Sequence, residues 1–329
     1  MNNYLYVIFI HPFVIIYKCI YYLIRYSILF KTTYNRYRQR CAERNLEKDQ
    51  IKYVIATTYV LLICQVIIDM GCKKRFNVES TDECLTIIDL YFLVINIDNE
   101  FDAIDSSIQK QKIINDVFFA VEEAINNPTK MNNKILKNTF SDTTSTIFVQ
   151  FISDHINSWK KNYRIKFIES INLLRNAYLL EAHATNRNQA WSASYSISVA
   201  TIEFFICGLN MLNGNIKLIK SHRNILYSFM FAGNIVDDWM DYYWTGEDHG
   251  KPCFLEFLRQ EMKYKIFRFP LFYYPYSLFL SASHLSKTIF AVQKNIILSA
   301  KVNWVLPVFM LLVFFTGPRS IFFHLKNKI

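Results

Sequence analysis

Three aspartates, Asp237, Asp238 and Asp241, interrupt an otherwise apolar run from Leu226 to Trp244. At helical spacing Asp237 and Asp241 are one turn apart and Asp238 is three residues from Asp241, so the carboxylates share one sector. Carboxylates held that closely in an apolar setting repel one another and are costly to leave uncompensated. A hard cation relieves the repulsion. Mg²⁺ fits best, because it takes a few carboxylate oxygens and keeps its other positions for water and phosphate. The simpler alternative is a solvated acidic helix end paired with lysines and arginines. The flanking Ile235, Val236, Trp239 and Met240 weigh against it.

A second acidic group, Asp98-Asn-Glu-Phe-Asp102, follows the apolar approach Phe92 to Ile95. Asp98 and Asp102 are again one turn apart, with Glu100 between them. Two such helices facing each other across a bundle would ring one cavity mouth with six carboxylates. Two or three Mg²⁺ ions held there would clamp a diphosphate and stabilise it as a leaving group. Arg187 and Tyr195 are candidate diphosphate partners, since a guanidinium binds phosphate oxygens bidentately. Trp191, Tyr195, Phe231 and Trp239 are candidates for an aromatic wall that excludes water and stabilises a cation. Each of these four reads more readily as ordinary core.

The elements that must carry these residues are helices. Glycine and proline number seven each, and no glycine lies between Cys72 and Cys207. A strand-rich fold would need turn residues far more often. The pattern predicts a core helix over Lys52 to Asp69 and a helix starting at Thr81-Asp82 that delivers the Asp98 group. It predicts another from a cap at Ser106-Ser107 to Asn126-Asn-Pro128, and one capped by Ser141-Asp142. Further helices are expected over Tyr163 to Thr185 and along the apolar run to Cys207, with a turn at Asn210 to Asn215.

The ends differ from the middle. Met1 to Tyr17 is uncharged and strongly apolar, and Lys18 to Lys52 holds nine basic against three acidic residues with tyrosines interleaved. That combination suits a helix lying at a membrane surface, or else an ordinary packing helix of a large bundle. Val302 to Pro318 is apolar and of borderline length for a membrane anchor. The formal charge is +10. No nucleic-acid motif accompanies it, and a membrane surface or a polyanionic substrate accounts for it. Seven scattered cysteines form no metal-ligand pattern and suit a reducing, cytoplasmic compartment.

With these residues in view, the second group resembles the second aspartate-rich motif of the trans-prenyl diphosphate synthases, within the class I isoprenoid synthase superfamily. That motif is DDxxD with Gly-Lys nine residues after its last aspartate. Here Asp237-Asp-Trp-Met-Asp241 is followed by Gly250-Lys251. The resemblance covers about Lys52 to Ala300 and implies an all-α bundle, Mg²⁺, a prenyl diphosphate substrate, and contact between Lys251 and the diphosphate. The chain also departs from the pattern: Asn99 replaces an aspartate of the first motif, and the expected arginine pair is replaced by Asp105 to Lys110. A lysine expected near Tyr195-Ser196 is absent. Those departures weaken binding of a second, isopentenyl substrate and favour a terpene cyclase. The Asn234-Ile-Val-Asp-Asp238 order is also similar to squalene and phytoene synthases, while Asp237, Asp241 and Thr245 match the terpene cyclase signature imperfectly.

The sequence therefore predicts one large helical bundle of the isoprenoid synthase type with apolar ends. Residues 1–51 form a membrane-associating segment, 52–300 the catalytic domain, and 301–329 an apolar segment and candidate anchor. Asp98, Glu100, Asp102, Asp237, Asp238 and Asp241 are the expected metal ligands; Lys251, Arg187 and Tyr195 are the expected substrate contacts. Elongation of a prenyl diphosphate, or head-to-head condensation, is the first alternative, and a non-enzymatic helical membrane protein the second. A homodimer is compatible with either.

Overall fold

The computed structural model describes residues 11–44, 58, 60–68, 89–91, 94, 98, 101, 104, 107–127, 161–213, 216–240, 253–261 and 283. Among these, nearly all are helical and none lies in a strand, which makes the described part all-α. Six helices are named here: α1 His11–Arg44, α2 Ser107–Asn126, α3 Lys161–Ala182, α4 Arg187–Asn213, α5 Lys220–Met240 and α6 Phe254–Glu261. The predicted helix capped by Ser141-Asp142 and the apolar segment 302–318 fall outside the described residues.

α4 is the axis of the arrangement, packed by α3, α5 and α6, while α2 packs on the far side of α3. Its buried residues fall on most of its circumference, including Ala193, Ser198, Ile202, Phe204, Phe205 and Leu209. A helix apolar all round belongs in the centre of a bundle. Residues Arg187–Asn210 are long and apolar enough to cross a membrane by composition, yet 61% of that window is buried against the neighbouring helices.

α3 shows the one-sided pattern of a peripheral helix. Phe167, Ser170, Ile171, Leu174, Ala177, Tyr178 and Ala182 are buried, at the three- and four-residue spacing of a single stripe. Its ring contacts with both neighbours are direct: Phe167 meets Phe204 of α4 at 5.2 Å, and Tyr178 meets Phe118 of α2 at 6.2 Å. The α2 side is also tied by polar groups. Arg175 donates Nε and Nη2 to Asn115 Oδ1, at 2.9 and 2.5 Å.

The α3–α4 connection is four residues long, and its geometry explains why one helix stops and the next starts. Asn186 sits at the N-cap of α4 and its Oδ1 accepts the Gln189 backbone N–H at 3.1 Å. Gln189 Oε1 reaches back and accepts from the Thr185 backbone N–H at 2.8 Å. This is a capping box displaced by one residue, and it satisfies donors that the first turn would leave orphaned. Asn186→Ala should therefore lower stability by about 1 kcal/mol in denaturant melts, whereas Asn186→Asp should hold most of it.

The helix ends differ from the sequence expectation in two places. α4 continues through Asn213, past the predicted turn at 210, and Asn210 Oδ1 instead accepts the Ile216 backbone N–H at 2.7 Å to close the loop. α5 begins at Lys220, six residues before the apolar run. Its polar first turns are held by a tertiary partner, Glu203 of α4, to which both Arg223 and Tyr227 donate. Propensity is a weak guide where such a contact exists.

Candidate functional site

The residues that bear the predicted acidic groups border the same part of α4. Leu90 lies against Gly208, where an added Cβ would come within 3.1 Å of Leu90 Cδ1. Tyr91 meets Phe205 with ring centroids 6.0 Å apart, and Val94 and Phe204 line one small void. As the first segment advances from 90 to 94, its partners on α4 retreat from 208 to 204, so the two run antiparallel. Carried one turn further at 1.5 Å per residue, that register would bring Asp98 level with Ala200 and Thr201.

α5 approaches α4 from another side, also antiparallel. Asn234 Nδ2 donates to Ser198 Oγ at 2.9 Å, and Ser198 Oγ in turn donates to the Ser194 carbonyl at 2.8 Å. Asp238 follows Asn234 by one turn, so it comes level with Ser194. Asp98 and Asp238 are both half-buried. Between their levels α4 carries Ser194, Ser198 and Thr201, three hydroxyl-bearing residues buried at 7, 0 and 5% exposure. Those hydroxyls are at helical spacing and give the otherwise apolar α4 a polar strip. Sequence reasoning passed over this strip because isolated serines in a helix look unremarkable without knowing which side faces in.

Of the other predicted ligands, Glu100, Asp102 and Asp241 lie outside the described residues, as does Lys251. Asp237 belongs to α5 by its backbone. Among the described residues no group of three or more His, Cys, Asp or Glu side chains comes together. The donor set itself, hard carboxylate oxygen throughout, suits Mg²⁺ rather than a softer metal.

Of the four residues expected to form an aromatic wall, Trp191, Tyr195 and Phe231 belong to a packed cluster, and the Trp239 side chain lies outside what the structure describes. Trp191 meets Phe231 edge to face at 4.5 Å and Phe254 at 4.9 Å, and Tyr195 meets Phe231 at 5.6 Å. Centroid distances of this size, with steep interplanar angles, are the favourable arrangement for ring quadrupoles. Ala190, Ile235, Leu255 and Leu258 complete the cluster. Burial pushes the Tyr195 phenol above its ordinary pKa, which keeps it a neutral hydrogen-bond donor. Phe254 was not singled out in the sequence, and its position just after Pro252 is the only signal that could have suggested a structured residue there.

Arg187, the other predicted diphosphate contact, pairs with Glu261 of α6 at 2.9 Å. Both side chains are partly exposed, so the pair contributes at most about 1 kcal/mol and holds α6 against the start of α4 only lightly. Glu256 of α6 is buried and accepts from Arg259 Nε and Nη2, at 3.0 and 2.5 Å, and from Gln260 at 2.7 Å. The small void lined by Val94, Phe118, Val121, Phe167, Ile171, Leu174, Tyr178 and Phe204 is apolar and water-sized. Val94, one of its lining residues, precedes Asp98 by four positions in the sequence.

Outside this region, Glu203, Arg223 and Tyr227 form a three-residue network linking α4 to α5. Burial, and then the hydrogen bond donated to Glu203, push the Tyr227 phenol up to about 12 from an ordinary 10.0. A raised folded-state pKa gives stability that is complete below pH 10 and is lost as pH rises towards 12. The melting temperature of the parent should therefore fall between those limits more steeply than that of Tyr227→Phe, a difference that circular dichroism resolves. Burial likewise pushes the Cys207 thiol up to about 11.

No protein family, curated protein or solved structure matches this chain.

Proposed function

We propose that this chain is a Mg²⁺-dependent terpenoid synthase of the class I type, which ionises an allylic prenyl diphosphate and cyclises or rearranges the resulting chain. The observation that carries the reading is the antiparallel register of two acid-bearing segments along one stretch of α4. Continued in that register, Asp98 and Asp238 would come level with the buried hydroxyls of Ser194, Ser198 and Thr201. Asp98 and Asp238, joined by Glu100, Asp102, Asp237 and Asp241 of the same sequence groups, would hold the cation. A bound divalent ion supplies charge neutralisation at the departing diphosphate.

The chain's own contributions follow from chemistry already described. In this reading the carboxylates act as ligands to the cation rather than as proton donors. The rings of Trp191, Tyr195 and Phe231, once parted by a bound prenyl chain, would exclude water and present their faces to positive charge. Arg187, if released from Glu261, and Lys251 would bind phosphate oxygens. Membrane association of the apolar ends and a cytoplasmic setting belong to the same proposal.

Incubation with farnesyl or geranylgeranyl diphosphate, with and without isopentenyl diphosphate, tests it by product analysis. A hydrocarbon or alcohol formed from the allylic substrate alone, and lost on chelation with EDTA, is the expected result. A longer diphosphate that forms only with isopentenyl diphosphate would replace cyclisation by elongation. The absence of turnover with any prenyl diphosphate, in a folded protein, would leave the non-enzymatic helical reading.

A further inference from the structure

α1 has two faces of opposite fate. Tyr22, Tyr26, Leu29 and Thr33 are buried, and the three apolar ones belong to the main core with the helical residues 60–68. On the opposite side Phe13, Ile16, Tyr17, Ile20, Ile24 and Ile28 are exposed, from 43% at Ile28 to 72% at Phe13. Successive three- and four-residue steps keep these six in one sector, about 120° wide at 100° per residue. The stripe is about 22 Å long at 1.5 Å per residue. It is too long and too continuous to be a scatter of single surface apolars, and a patch of that kind marks a docking surface.

Charge decides between occupants. Helix α1 carries seven basic residues (Lys18, Arg25, Lys31, Arg36, Arg38, Arg40 and Arg44) against one acidic residue, Glu43. Lys31 is exposed, in the same sector as the stripe and just beyond its end. Arg25 is held beside the stripe, its Nε donating to Tyr21 Oη at 3.2 Å and its guanidinium 5.3 Å from the Tyr21 ring centroid. A second copy of this face would bring two strongly basic helices together, and the 302–318 segment leads into a basic tail. An anionic lipid surface offers both an apolar layer and the opposite charge.

We infer that the outer face of α1 docks on an anionic bilayer, with Phe13 to Ile28 sunk into the headgroup–acyl boundary and Lys31 and Arg25, at the end and flank of the stripe, on phosphate and serine headgroups. The helix lies in the plane of the interface. It does not cross the membrane, because its inner face is occupied by the bundle core. This arrangement is independent of the diphosphate chemistry proposed above.

The test uses the full chain and sedimentation with vesicles of phosphatidylcholine, alone or mixed with phosphatidylserine. The parent should bind the mixed vesicles at least about tenfold better than the neutral ones and release with added salt, as screened charge attraction requires. Ile20→Ser combined with Ile24→Ser should weaken binding to the mixed vesicles by at least about tenfold, since two buried isoleucines are withdrawn from lipid. Both positions are exposed, so helicity and melting temperature should be unchanged. Lys31→Glu, which leaves the stripe intact, should narrow the preference for anionic vesicles. Equal binding by the double variant, or no binding by the parent, overturns the inference. A parent dimer that the double variant converts to monomer, with lipid binding unaffected, assigns the face to a second copy instead.

Discussion

Asp238→Asn should reduce turnover of an allylic diphosphate by about 100-fold or more while leaving helicity and melting temperature near those of the parent. The substitution keeps the shape and removes the charge, so it separates ligation from packing. Loss of one carboxylate from a cation site costs several kcal/mol of charge stabilisation at the transition state, and each 1.36 kcal/mol is tenfold in rate. Asp98→Asn should behave alike. Asp116→Asn, an exposed acid on α2, should retain parental turnover and controls for net charge. Raising Mg²⁺ should recover part of the Asp238→Asn activity if affinity is what was lost. Parental rates from Asp98→Asn and Asp238→Asn would end the diphosphate reading.

Phe231→Ala should be the most destabilising single substitution among the residues of the aromatic cluster, by about 3–5 kcal/mol in a denaturant melt. Phe231 is fully buried and is the ring that both Trp191 and Tyr195 meet edge to face. Truncation removes its burial, opens a cavity that α4 and α5 cannot fill without moving, and discards two aromatic contacts. Tyr195→Phe should cost far less, because it keeps the ring that meets Phe231 and opens no cavity. A Phe231→Ala cost below about 1 kcal/mol would mean that the cluster is loosely packed and free to open around a ligand.

Helix positions were legible in the sequence where period and caps agreed. Ser107–Asn126 was bounded by Ser106-Ser107 and Asn126-Asn-Pro128, and the buried helical residues 60–68 fall inside the apolar Lys52 to Asp69. The start of α5 was not legible, because Lys220 to Asn224 is polar and only Glu203, twenty residues away from Arg223, makes a helix there favourable. Likewise the spacing of Asp237 and Asp238 suggested a shared sector on one helix, but which sector faces α4 depends on Asn234 reaching Ser198. The aromatic grouping of Trp191, Tyr195 and Phe231 was anticipated as a wall. Their mutual contacts, and the addition of Phe254 from α6, could not be read from spacing because the contributors lie on three different helices. For α1, composition indicated an apolar and basic segment, and only coordinates distinguish the face that joins the core from the one that does not.

The four-residue link between α3 and α4, and the similarly brief stretch before α5, have a kinetic consequence. Neighbours in space along this up-and-down path are also neighbours in sequence, so closing these loops costs little chain entropy and contact order within residues 161–240 is low. Low contact order favours early formation of the α3–α4–α5 portion, with α1 joining the common core separately. Late docking of α1 would leave its apolar outer stripe and its core-facing tyrosines exposed together for a time, the interval in which such a chain is most prone to aggregate.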